Sequence, residues 1–340
     1  MLKIDPKLIA GIEASTSKSD LYPYLQKAVE LEHSTIPPYL TAYYSLKPGL
    51  NDEIAGLIRS VVIEEMLHMT ISANILVSLG GSPSINNPDF VPDYPGPLPM
   101  GIGGADFTVH IEPFSMDLVK NTFMVIEEPE ESVPVGSLRS QDATYRTIGE
   151  YYDALKKKIN ELPAEDFGYQ DRQVLSMFGP DVIFPITDSI SANKAIDIII
   201  KQGEGSSTNP FDSPGEPAHY YRFGEIYYGS KLIQSDDDKF SYGGDPVAFV
   251  SEGVYPMKSD PTSEQFPEDS YGRVLSNNFT EGYSSLLNSL HEAFNGAPDK
   301  IETAIGLMYQ LRFMAQKLMT TPLKKGEIAT GGPVYKYRKA

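Results

Sequence analysis

Apolar residues recur at helical spacing from Ser19 to Tyr44, at Leu21, Leu25, Ala28, Val29, Ile36, Tyr39 and Tyr43. The spacing predicts a first long helix, with Asp20 and Pro23 as start signals. Pro37 and Pro38 fall inside it, and two rings without backbone donors predict a kink or a local break there. After a turn at Lys47 to Leu50, Asn51 or Asp52 can cap a second helix that runs to Leu79 and stops at Gly80 and Gly81. So short a link makes the two helices antiparallel neighbours. Ser82 to Gly104 is dense in Pro and Gly and reads as irregular; Phe107 to Ile111 reads as a possible strand and Ser115 to Ile126 as a helix. Further helices are predicted over 140–161, 191–202 and 218–228, and two closing helices over 278–295 and 298–319. Residues 229–276 turn to Ser, Asp, Gly, Pro and Tyr, the composition of a β-containing or irregular insertion.

Paired helices with a long middle connection predict a mainly α protein, a four-helix bundle with one crossover. The single domain would cover 1–340, with insertions at about 80–139 and 229–276 and two extra C-terminal helices. A hydrophobic content of 41% over 340 residues is enough to bury a full core. The balance of 28 basic against 46 acidic side chains gives a net charge of −18, which disfavours nucleic acid and anionic membrane surfaces as partners. The N-terminus lacks a secretory h-region and no run of eighteen apolar residues occurs, so the expectation is a soluble, cytoplasmic protein. Cysteine is absent, which excludes disulfides, thiolate catalysis, iron–sulfur clusters and Cys-ligated zinc. Any metal must be held by oxygen and imidazole.

Five histidines occur, and three follow a glutamate by three residues: Glu30/His33, Glu65/His68 and Glu216/His219. On a helix this spacing puts both groups on one face, where they can converge on one ion. Taking about 100° per residue, Glu65 sits in the middle of the stripe formed by Ile58, Val61, Val62, Met69, Leu76 and Leu79, with His68 on the same face. A carboxylate there needs a cation or a buried partner; the alternative to a metal is a Glu–His hydrogen bond in the core. In the first helix Glu32 is centred on the apolar stripe whereas Glu30 points away, so Glu32 is the ligand candidate and Glu30 a solvated charge, while His33, on the flank, is as much a core or interface histidine as a ligand. His219 shares a face with Phe223 and Ile226 and should look inward. Its carboxylate partner is either Glu216, which precedes Pro217 and could instead cap the helix, or Glu204 in Gln202-Gly-Glu-Gly205; Glu204 is preferred. Periodicity places Glu150 on the exposed side of its helix, away from Tyr145, Ile148, Tyr152, Leu155 and Ile159.

Taken together, the strings Glu30-Leu-Glu-His-Ser-Thr-Ile-Pro-Pro-Tyr-Leu40, Glu64-Glu-Met-Leu-His68, Thr147-Ile-Gly-Glu-Tyr-Tyr152, Gln202-Gly-Glu-Gly205 and Ala218-His-Tyr-Tyr-Arg-Phe223 resemble the ferritin-like iminophenylpyruvate dimer synthase family. Glu112 to Ser115, Ile126 to Glu130 and Leu290 to Gly296 extend the resemblance over most of the chain, the 229–276 insertion being least similar. The resemblance implies metal ligands at Glu32, Glu65, His68, Glu150, Glu204 and His219, with Glu65 and Glu204 bridging two ions, and so it overrides periodicity at Glu150. It also implies iron, with manganese as the alternative, in a site that reduces dioxygen while oxidising a small organic molecule, as in the coupling of two amino-acid-derived imines in secondary metabolism. Tyr39, Tyr43 and Tyr220 would line a cavity or belong to the core, and Arg222 would bind a substrate carboxylate or a bundle glutamate. The competing reading is a ferritin-like protein that stores iron without an organic substrate; a homo-oligomer is compatible with either.

Overall fold

The computed structural model describes residues 4–339, apart from Ala105, 130–147, Glu204, 206–207, 213–214 and 237–238. A short helix, α1 (Pro6–Ala14), was not foreseen: at nine residues it is too brief to show a period, and it is held by Asp5, whose carboxylate accepts from the Lys7 N–H, and by the burial of Ile9 and Ile12. Two long helices follow, α2 (Lys18–Ser45) and α3 (Asp52–Ser78), packed against each other more extensively than any other pair of elements. Asp20 accepts from the backbone N–H groups of Thr16 and Ser17 and so fixes the start of α2. By length and composition α3 could cross a membrane, yet 78% of its apolar window is buried inside the protein, as befits a core helix.

α2 does not break at Pro37 and Pro38. Pro38 cannot donate to the Ser34 carbonyl four residues back, and the Tyr94 hydroxyl donates to it instead, at 2.7 Å, from the irregular segment that follows α3. Part of that segment is thus the reason α2 stays whole.

The predicted strand at 107–111 is a single bridge, Val109 to Gly96. The backbone of Ile111 is engaged instead by Asp260, whose carboxylate accepts its N–H and whose N–H donates to its carbonyl. Helix formation over 115–126 is as expected but irregular: α4 (Met116–Leu118), a π-helical turn (Val119–Phe123) and α5 (Met124–Ile126) run on from one another. The described part of the next helix is α6 (Ile148–Ile159), which packs on α1 and α7 (Ser189–Gly203); the expected start at 140 lies outside the described residues. Then come α8 (His219–Tyr228), β1 (Ser230–Gln234) and β2 (Phe240–Pro246), the strands paired antiparallel.

This hairpin is bound to the bundle. The Leu232 N–H donates to Glu225 of α8, and Lys231 bridges Glu225 and Glu53 of α3 at 3.2 and 2.7 Å. Gly224 lets the hairpin come close, since a Cβ there would meet the Tyr242 hydroxyl at 1.9 Å. The closing pair is α9 (Tyr271–Phe294) and α10 (Ile301–Met319), packed on each other and laid over α2 and α3. α9 starts seven residues earlier than predicted because the Ser270 hydroxyl caps Arg273 and the buried stripe begins at Gly272 and Leu275.

Tyr94→Phe is expected to strip the Ser34 carbonyl of its donor and to lower stability by about 1–3 kcal/mol in urea unfolding. An unchanged midpoint would mean that the diproline step is stabilised elsewhere.

Candidate metal centre

Two acid–imidazole groups lie in the middle of the bundle and share one member. Glu32 of α2 with Glu65 and His68 of α3 form the first; Glu65, Glu127 and His219 form the second. All five side chains are buried. In the first group His68 Nδ1 is 3.6 Å from Glu32 and 3.9 Å from Glu65; in the second His219 Nδ1 is 2.8 Å from Glu65 and 3.4 Å from Glu127. The two imidazoles face each other with ring centroids 5.4 Å apart.

The surroundings of the two groups match part for part. Each outer carboxylate accepts a tyrosine hydroxyl: Glu32 from Tyr152 of α6, and Glu127 from Tyr39 of α2, at 2.5 Å. Glu65 accepts from Thr35 at 2.7 Å. Each histidine is engaged at Nε2, the ring nitrogen away from the shared glutamate: His68 by the Gln202 side-chain oxygen at 2.9 Å, His219 by Glu64 at 3.0 Å. Such backing fixes the ring and its tautomer, leaving Nδ1 to the cluster. The two differ in charge, because Glu64 is itself clamped by both oxygens on buried Arg222, which also donates to Ser60 and to the Pro217 carbonyl.

Electrostatics report an excess of negative charge. Burial, and after it the charge of Glu127, pushes the Glu65 carboxyl up to about 7. Burial opposes the charged form of both His68 and His219, but in each case the facing carboxylates outweigh it and raise the pKa. Among the described residues His219 Nδ1 makes no hydrogen bond although two carboxylate oxygens crowd it, so these oxygens sit beside the ring nitrogen and out of line with an N–H. A cation among these oxygens and nitrogens would satisfy all of them. Three carboxylates and two imidazoles, with no sulfur, form a donor set that fits iron or manganese. A cavity of about 40 Å³ opens onto Glu32, Glu65, His68 and Glu127, with Leu31, Ile126 and Ile199 as apolar walls.

The structure therefore brings together Glu32, Glu65, His68 and His219, as their periodicity suggests. Glu150 belongs to neither group: it is half-buried in the first turn of α6, about 200° around the helix from Tyr152, which is the residue that reaches in. Glu216 is exposed on a turn where its N–H and carbonyl pair with Asp212, and it does not reach His219. Glu204 lies outside the described residues. Glu127 was missed. It follows the last turn of α5 in the acidic run Glu127-Glu-Pro-Glu130, where no helical period remains to mark an inward side chain. Of the alternatives for Arg222, the structure selects the bundle glutamate; Glu30 pairs with Lys27 at the surface, and His33 is a core residue bonded to Tyr283.

The ferritin-like family profile matches residues 25–228, the stretch that contains every member of both groups. The chain is 24% identical to dichlorochromopyrrolate synthase of Lentzea aerocolonigenes over 94% of its own length but 36% of that protein's, so it spans about a third of this relative. Among solved structures it is similar to a ferritin-like protein from Caulobacter vibrioides, with a TM-score of 0.63 and 25% identity, covering 93% of this chain and 97% of the other.

Arg222→Met is expected to leave Glu64 without its counter-charge and to cost about 2–3 kcal/mol in chemical unfolding, somewhat less than a fully enclosed pair because Glu64 retains some solvent access. Stability within a few tenths of a kcal/mol of the parent would show that Glu64 is held by His219 alone.

Proposed function

For a chain that belongs to the ferritin-like family, we propose that Glu32, Glu65, His68, Glu127 and His219 hold two iron ions, with Glu65 between them, in an oxidoreductase that uses dioxygen to oxidise a small organic molecule. The observation that carries this reading is the sharing of Glu65 by two acid–imidazole groups, each with its own tyrosine-bound carboxylate and backed histidine. Bound there, such ions would relay electrons from the organic substrate, which is oxidised, to dioxygen, which is reduced. Glu204, expected from the sequence as a further ligand, remains a candidate for a second shared carboxylate, and manganese is the alternative metal.

The chain's own residues set the conditions for this chemistry. Tyr152 and Tyr39 hold the outer carboxylates in place by donating hydrogen bonds to them, while Thr35 orients Glu65. Leu31, Ile126 and Ile199 keep bulk water from the cavity, which at about 40 Å³ admits a small oxidant and only the reacting edge of a substrate. For the substrate class we propose amino-acid-derived imines undergoing oxidative coupling. The resemblance of its motifs to the iminophenylpyruvate dimer synthase family supports that choice, and the likeness to dichlorochromopyrrolate synthase, over the third of that protein which this chain spans, supports a synthase.

Protein purified with ferrous iron present is expected to carry about two ions per chain. Glu65→Ala should lose most of both and His68→Ala and His219→Ala about one each, with the helical circular dichroism retained. Full iron content in all three variants would end the site assignment, and many ions per chain in a mineral core would favour storage over catalysis.

Metal affinity is expected to depend on pH through Glu65. Its carboxyl, raised to about 7 in the metal-free protein, carries below that pH a proton that an ion must displace. Affinity should therefore fall as pH is lowered from roughly 8 to roughly 6, releasing protons on binding; a flat profile in calorimetric titration would contradict this.

A further inference from the structure

A second cavity, of about 70 Å³, lies on the opposite side of the α2–α3 layer, between it and the α9–α10 hairpin. It stands at the level of the carboxylate groups, because the residue after each ligand candidate on these helices turns to it: His33 after Glu32, Met66 after Glu65 and Met69 after His68. Met308 and Leu290 close the other side. Nearly all of the lining is aliphatic, thioether or aromatic.

Polar side chains in that lining are His33, Thr70 and the tyrosines Tyr44, Tyr283 and Tyr335. His33 is 4% exposed and its Nε2 is 2.7 Å from the Tyr283 hydroxyl, but its Nδ1 is buried without a hydrogen bond among the described residues. Whichever way the His33–Tyr283 bond is directed, Nδ1 is left over, as a donor in one tautomer and an acceptor in the other. Leaving such groups unmatched costs about 1–3 kcal/mol each, and native cores rarely do so. An apolar pocket with one or two convergent polar atoms is the usual form of a small-molecule site. As for size, a water needs roughly 10–15 Å³ of such space and occupies about 30 Å³ of liquid, so the cavity corresponds to about five waters or one six-membered ring. Methionine walls can adjust to the ring's outline.

We propose that this cavity is a binding site for a small neutral aromatic molecule carrying one hydroxyl, the ring lying among Met66, Met69 and Met308 and the hydroxyl bonded to His33 Nδ1. A hydroxyl both donates and accepts, so it satisfies either tautomer; a hydrocarbon satisfies neither. The site owes nothing to the metal centre beyond sharing its helices, and the two assignments stand or fall separately.

Phenol and toluene serve as probes in calorimetric titrations of the full chain. Phenol is expected to bind saturably with Kd of roughly 0.1–1 mM, and toluene more weakly. His33→Phe should reduce phenol affinity at least about fivefold, to the level of toluene, while leaving toluene binding in place. Met308→Trp, which fills the cavity from its half-buried side, should abolish both. Glu65→Ala should bind phenol as the parent does. Absence of saturable phenol binding, or binding that survives both His33→Phe and Met308→Trp, would overturn the proposal. Should His33→Phe not fold, crystals of the parent protein soaked in 4-bromophenol decide the matter. Anomalous signal from bromine inside the cavity, with the hydroxyl within hydrogen-bond distance of Nδ1, is the expected result. Ordered water alone beside Nδ1, or bromine only at other sites, overturns it.

Discussion

The interior of this protein is organised around the cost of burying carboxylates. Glu32, Glu65 and Glu127 are each less than a tenth exposed, and the penalty for ionised groups in such a setting is several kcal/mol per ion. What surrounds them is a shell of donors, Thr35, Tyr39 and Tyr152, whose rings and methyl groups fill the core while their hydroxyls point at acid oxygens. The identities of residues on α2, α3 and α6 follow from that need. A bundle of the same shape with leucines in these places would satisfy packing alone.

The α2–α3 layer works on both faces, since neighbouring positions on a helix differ by about 100° and adjacent residues therefore look to different sides. Such a layer needs straight helices, and a diproline step at Pro37 and Pro38 threatens that. Tyr94, bonded to the Ser34 carbonyl, supplies the donor that Pro38 lacks and helps keep the step helical. Support from outside the helix makes the sequence locally inconsistent and globally sound.

Much of this was legible from the chain itself. Wherever a helix is long, the 3.6-residue period located the inward acid, as at Glu32 and Glu65, and rejected Glu30 and Glu150. The likeness of Glu150 to a family position argues the other way; Glu150 is half-buried in the first turn of α6 and outside both described groups. Where a helix ends, the period gives no information: Glu127 follows α5, and only an acidic cluster next to a proline marks it. Backing groups such as Gln202 and Glu64 were invisible for another reason, since their role depends on which histidine nitrogen they meet, a matter of distance between separate helices. The 107–111 strand failed because alternation describes a face, while a strand also needs a partner backbone.

The β-hairpin after α8 has a bearing on how this fold can change. α8 has only ten residues, too few to be stable alone, and its first residue is His219. Lys231, Leu232 and Tyr242 grip its other end and tie it to Glu53 of α3. The hairpin thus acts as a guy-rope on a short mast: shortening it would slacken the anchorage of an imidazole roughly one and a half helical turns from its grip. A peripheral ornament in the chain's outline is, mechanically, part of the frame.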